Sequence, residues 1–147
     1  MTGTLPTELG LLTGLQQLYV HTNSLTGTLP TELGGLAALQ FADVSLNGFT
    51  GTFPRELEGL NELISLNVSL NDLTGTLPNE LSQLSNLTQF AFQQNNFSGS
   101  VNDIFCSDTN RTWAILEGDC LDDDSGQVEI ECECCTKCCN AGLFTCV

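Results

Sequence analysis

The most reactive residues of this 147-residue chain are eight cysteines, Cys106, Cys120, Cys132, Cys134, Cys135, Cys138, Cys139 and Cys146, all within its last 42 residues. Two chemistries compete for them. As thiolates, the string Cys132-x-Cys134-Cys135-x-x-Cys138-Cys139 could hold zinc or copper(I). As disulfides, an even number of cysteines would staple a segment too small for a core of its own, in an oxidising compartment. Metal-thiolate tails of this spacing lack aromatics and carry many lysines, whereas here Phe105, Trp113 and Phe144 accompany Lys137 as the only lysine. Four disulfides, no metal and no cofactor are therefore expected. Adjacent cysteines seldom bond each other, so Cys134/Cys135 and Cys138/Cys139 should bond outward. The sequence does not choose among the roughly 100 pairings that eight cysteines allow.

Other reactive groups are sparse. Asp122-Asp123-Asp124-Ser125-Gly126 has calcium-binding residue types, but an EF-hand loop turning at Gly126 would need an acid at Leu121 and flanking helices. A solvated acidic turn is the simpler reading. His21 has no nucleophile and orienting acid in its sequence neighbourhood, and nothing reads as a triad, a carboxylate pair or a phosphate loop. An enzyme is not expected. Sequons at Asn67, Asn86, Asn96 and Asn110 agree with a secretory route and are candidate glycosylation sites. Met1 is not followed by the charged and apolar regions of a signal peptide. Eighteen acids against three bases give a net charge of -15, which repels nucleic-acid phosphates and anionic lipid heads. No apolar run approaches the ~18 residues of a spanning helix, so no membrane insertion is expected.

What must position these residues is a repeat. Leu25, Phe49, Leu73 and Phe97 recur every 24 residues, in register with Asn23, Asn47, Asn71 and Asn95. Gly3, Gly27, Gly51, Gly75 and Gly99 form another column, and Pro6, Pro30, Pro54 and Pro78 a third, each with Glu two places on. So many columns define a solenoid. Within a unit, Leu15-x-x-Leu18-x-Val20 alternates, predicting a short strand from Gln17 to His21. The inward asparagine can bond backbone groups of its own and adjacent coils. Leu25-Thr26-Gly27-Thr28-Leu29 predicts a second strand. Pro30 suits the first position of a helical turn, Glu32 the positive end of its dipole, and Gly34 or Gly10 its end. One coil cannot offset its own ordering entropy, so neighbours must stack.

The pattern L-x-x-L-x-L-x-x-N-x-L-x-G-x-x-P-x-x-L-x-x-L-x-x resembles the plant-type leucine-rich repeat from Met1 to about Asn102. The resemblance implies an α/β fold: a right-handed, curved solenoid with a parallel sheet on its concave side and short 3₁₀ turns on the convex side. Residues 1–102 would form the repeats, with the first coil truncated, and 103–147 a disulfide-rich C-terminal cap. Met1 falls in the column of Leu25, and the family's usual N-terminal cap with paired cysteines is absent. The chain is thus expected to be part of a longer receptor-like or secreted protein. In the cap, Trp113, Ile115 and Leu116 should cover the last coil, and Val128 to Cys134 should form a strand with three glutamates on one face. Asp119-Cys120 and the cysteine string resemble the tail of diatom-type leucine-rich-repeat proteins.

Such repeats serve extracellular recognition, not catalysis, which implies a protein or peptide partner, with a glycan as a further class. Outward concave positions are Gln17, Tyr19 and His21; Phe41, Asp43 and Ser45; Ser65, Asn67 and Ser69; Gln89, Ala91 and Gln93. Of these, Tyr19, His21, Phe41, Asp43, Ser65, Asn67 and Gln89 are the candidate ligand-binding residues. Tyr19 and Phe41 lie in adjacent coils as an aromatic pair, and Asp43 is the only formal charge on this face. Asn67 should project from its middle, where a glycan would cover the site. A second surface comes from Thr2/Thr4, Thr26/Thr28, Thr50/Thr52, Thr74/Thr76 and Ser98/Ser100. These predict two outward hydroxyl ranks spaced about 4.8 Å between coils and about 6.7 Å along the strand. Ladders of this kind hold ordered water in ice-binding solenoids, so ice binding, or an adhesive role, is the alternative function.

Overall fold

The computed structural model describes residues 1–107, 112–120, 130–140 and 145–146. Asn110, the acidic run at 122–126, Phe144 and the side chain of Cys146 lie outside the described part. Each 24-residue coil climbs through a concave strand, a sharp turn, a second strand and a 3₁₀ turn. The concave strands are Gln17–Tyr19, Phe41–Asp43, Ser65–Asn67 and Gln89–Ala91. They pair in parallel with identical positions opposite one another, so Gln17 faces Phe41, Phe41 faces Ser65 and Ser65 faces Gln89. The same sheet continues into the cap through Ile115–Gly118 and Lys137–Asn140, and ends on antiparallel Thr145–Cys146.

The concave strand stops at Tyr19, short of His21, because the chain reverses there. Thr22, Leu46, Leu70 and Gln94 all adopt left-handed conformations, with φ between 53° and 57°. That geometry is costly for residues other than glycine, and the next residue stabilises it. Asn47 Nδ2 donates to the carbonyls of Val44 and Ser45 at 3.1 Å, pinning the turn of its own coil. It also donates to Val20 of the preceding coil at 3.1 Å, while its Oδ1 accepts the Leu25 amide at 3.0 Å. Asn71 and Asn95 repeat the arrangement in buried positions. One carboxamide thus satisfies backbone groups of two coils that the turn would otherwise leave unpaired.

The 3₁₀ turns Thr7–Leu11, Thr31–Gly35, Arg55–Gly59 and Asn79–Gln83 differ from expectation in two details. The prolines are N-caps with extended ψ rather than first helical residues, and the Pro30 carbonyl accepts the first bond of its turn, from Leu33. Gly10 and Gly34 lie inside the turns rather than ending them. A Cβ on either would run into the carbonyl of Glu32 or Glu56 in the next coil, so the glycines permit close stacking of successive turns.

Between the sheets runs one core, including Leu18, Leu36, Phe49, Leu60, Leu66 and Leu87. Toward the cap it becomes aromatic. Phe90 packs edge-on against Phe53 and Phe105 at 6.1 and 5.6 Å, and Trp113 closes on Phe105 at 5.2 Å. Leu116 is fully buried over the last coil, but Ile115, expected beside it, points the other way and is 37% exposed. Of the strand expected at 128–134, the described residues contain Ile130–Glu131, which pairs with Gly99–Ser100. Cys132 and Cys135 then bond each other, so Glu133 sits in a turn instead of on a strand face. Cys106 bonds Cys134, Cys120 bonds Cys138, and Cys139 is also disulfide-bonded.

Candidate functional site

Because the concave strands keep a register of one repeat, their outward side chains form straight rows. One row runs Gln17, Phe41, Ser65, Gln89 and Ile115; the next runs Tyr19, Asp43, Asn67, Ala91 and Glu117, with Lys137 beyond. A groove of about 190 Å³ lies along them, lined by Tyr19, Phe41, Asp43, Ser65, Asn67, Gln89, Ala91 and Ile115. Six of the seven candidate ligand-binding residues therefore share one groove. His21 does not line it: the ring is exposed beyond the strand end, with Nδ1 3.1 Å from Thr22 Oγ1. Tyr19 and Phe41 differ in register by two residues, so their rings stand diagonally across the groove, with Asp43 completing the corner.

Ser45 and Ser69, expected to face outward, are buried. Each folds back onto the residue two places before it. The Asp43 Oδ1 atom accepts both the Ser45 amide, at 2.9 Å, and its hydroxyl, at 2.6 Å. Asn67 Oδ1 holds Ser69 in the same way, at 3.0 and 2.7 Å. Asn67 Nδ2 meanwhile points at Asp43 Oδ2 from 3.4 Å. The middle of the face is thus pre-set by hydrogen bonds within and between strands. Ile115, Glu117 and Lys137 were not visible as members of these rows, because the cap strand follows 26 residues after Gln89 rather than 24. Glu117 is tied down: Gln93 Nε2 donates to it at 3.0 Å and Lys137 lies 3.8 Å away.

Two wider, more open grooves of about 390 and 420 Å³ lie elsewhere. The first follows the asparagine ladder, whose amides are already spent on backbone. The second adjoins Thr28, Thr52 and Arg55 beside the hydroxyl ranks. Those ranks are exposed throughout, from Thr2 to Ser100. Their lattice differs from expectation, because partners in this sheet are 22 residues apart, as in Thr52 opposite Thr74. Equivalent threonines are therefore displaced by two residues along the strand from coil to coil. The Thr28 methyl lies over Gly51, where any side chain would collide with it.

Of the sequons, Asn86 and Asn96 are exposed away from the groove, whereas Asn67 is half-buried within it. In the cap, the sulfurs of Cys106, Cys132 and Cys134 come within 4.8 Å of one another because two disulfides pack side by side.

Comparison with known proteins accords with this geometry. The family model described as Leucine Rich Repeat matches residues 14–36 and 62–84. No curated protein sequence matches the chain. Among solved structures, the BIR2 ectodomain from Arabidopsis thaliana is 34% identical with a TM-score of 0.68, covering 71% of this chain and 55% of its own. The plant peptide hormone receptor RGFR1, solved in complex with RGF2, is 34% identical with a TM-score of 0.67, covering 80% and 20%. A plant ice-binding protein is 30% identical with a TM-score of 0.69, covering 80% and 37%. The chain thus spans about half, or less, of the length of these relatives. Repeat, fold and matches together make it a plant-type leucine-rich-repeat protein with a cysteine-bonded end. Among the described residues no helix is long and apolar enough to cross a membrane.

Proposed function

We propose that this chain is an extracellular recognition module that binds a secreted protein or peptide along its concave sheet. The observation that carries the reading is the groove itself: Tyr19 and Phe41 among mostly uncharged side chains on straight rows, on a chain of net charge -15. Central aromatic anchors of this kind dominate interface energies. RGFR1 and its peptide hormone supply a precedent on the same fold. In this reading residues 1–102 present the surface, and the cap, 103–147, closes the solenoid and extends its rows with Ile115 and Glu117. Disulfides suit an oxidising, extracellular setting. Similarity to receptor ectodomains supports reading the module as non-enzymatic.

Two measurements test this. Site-resolved glycopeptide analysis of native protein should find Asn67 largely unmodified and any glycans on Asn86, Asn96 or Asn110; near-complete occupancy of Asn67 would move the site off the concave face. Replacing Ser65 with Trp should block partner binding, whereas Ser85→Trp, on an exposed loop elsewhere, should leave it intact. Equal effects of the two would overturn the assignment.

A second reading is favoured by the exposed hydroxyl ranks and the similarity to a plant ice-binding protein. Thr26, Thr28, Thr50, Thr52, Thr74 and Thr76 would then order water for an ice surface. The two-residue stagger between coils counts against a flat lattice match. Thermal hysteresis of the unaltered protein, lost on replacing Thr28, Thr52 and Thr76 with Lys, would establish it. No hysteresis and no ice shaping would remove it.

A further inference from the structure

We infer that Tyr19, Phe41 and Asp43 form a cup for one cationic side chain, the guanidinium of an arginine in the bound peptide. This rests on the concave-face reading above and names the chemistry that the face selects. Tyr19 stands directly across from Asp43 on the neighbouring strand, and Phe41 precedes Asp43 by two residues on the same face. Strand spacings place such neighbours about 5 and 7 Å away, so two aromatic rings flank one carboxylate at the groove wall. A cation entering there meets a ring face and an anion together, and the two attractions reinforce each other.

The carboxylate is prepared for the task. Both hydrogen bonds from Ser45 go to Oδ1 and fix its plane, while Oδ2 receives only the distant Asn67 amide, at 3.4 Å, and keeps acceptor capacity. No basic group of the described residues neutralises Asp43: Arg55 pairs with Glu56 at 3.6 Å, and Lys137 with Glu117 at 3.8 Å. The other acid of the row, Glu117, is therefore already paired, which leaves Asp43, among the described residues, as the concave carboxylate able to take a ligand's cation. Its partial burial, unlike the exposed acids Glu8, Glu32 and Glu56, limits competition from water. The net charge of -15 draws basic peptides toward the molecule before contact. Arginine fits better than lysine, since a planar, weakly hydrated guanidinium can stack on a ring while donating to an oxygen in its plane.

The test uses the full chain and acetyl-arginine amide as probe. Tyr19 is the only tyrosine in the chain, so its ring resonances report occupancy directly. Saturable shifts at Tyr19 and Phe41 are expected. Acetyl-citrulline amide, which has the shape without the charge, should not bind, and acetyl-lysine amide should bind several-fold more weakly. Asp43→Asn, which keeps an oxygen for Ser45, should weaken the arginine probe about ten-fold. Tyr19→Ala and Phe41→Leu should each weaken it about three-fold. Equal binding of citrulline or lysine, or an Asp43→Asn variant with unchanged affinity, would overturn the proposal. If the arginine probe fails while Ser65→Trp still blocks the partner, the cup falls and the concave reading stands. If the probe binds but Ser65→Trp is without effect on the partner, the cup stands and the broader reading falls.

Discussion

Asp119 follows the cap strand that pairs with Gln89–Ala91, one residue past Gly118 and so level with Gln93, and its buried carboxylate accepts the backbone amides of Gln94 and Asn95 at 2.8 and 3.2 Å. In the coils before it, the corresponding amides bond carbonyls of the next coil: Leu70 to Gln93 and Asn71 to Gln94. Asp119 therefore replaces a coil's backbone with a side chain and ends the ladder. A carboxylate suits this place because it accepts both bonds.

Replacing Asp119 with Ala should leave two amides without their acceptor, one buried and one partly buried, and lower stability by about 2–4 kcal/mol. Asp119→Asn, which brings an amide donor among donors, should cost about half as much. Chemical denaturation midpoints under non-reducing conditions check both; a loss below about half a kcal/mol for the alanine variant would refute the capping role.

The ladder should weaken toward the first coil. Asn71 is buried and donates to Val44, Val68 and Ser69 while accepting from Phe49, whereas the Asn23 amide donates to Val20 and His21 of its own coil alone. Asn71→Ala should cost about 2–4 kcal/mol and Asn23→Ala about 1 kcal/mol or less, read from thermal or denaturant unfolding.

Stacking of the 3₁₀ turns predicts opposite outcomes for two glycines. A Cβ at Gly34 meets the backbone of Glu56, while nothing lies within 4 Å of one at Gly14. Gly34→Ala should destabilise by roughly 2 kcal/mol or more through forced separation of coils, and Gly14→Ala should be neutral or slightly stabilising. Comparable unfolding midpoints would contradict the close-approach account.

Reduction should add eight hydrogens to the intact mass, one per cysteine, and peptide mapping should recover Cys106–Cys134, Cys120–Cys138 and Cys132–Cys135. Stoichiometric zinc or copper in protein purified without chelators would instead favour thiolates.

The solenoid was readable because each coil repeats the same local problem. Apolar spacing, an asparagine before every Leu25-type position and a proline before every turn all recur at one interval, so strands, turns and core columns follow from residue types alone. The concave rows follow as well, since side chains in register must align. The second sheet was not readable in its register. Its two-residue stagger reflects how successive coils seat against one another, a property of packed neighbours that no single repeat encodes. The cap escaped for another reason. Its cysteines carry identical chemistry, so only tertiary proximity selects Cys132 for Cys135 and Cys106 for Cys134. The same folding brings Glu117 and Lys137 into the last row, pairs them, and leaves Asp43 between two aromatic rings as the unpaired acid of the groove. Which carboxylates a chain carries is written in its sequence; which of them meets a base is decided by where the backbone ends up.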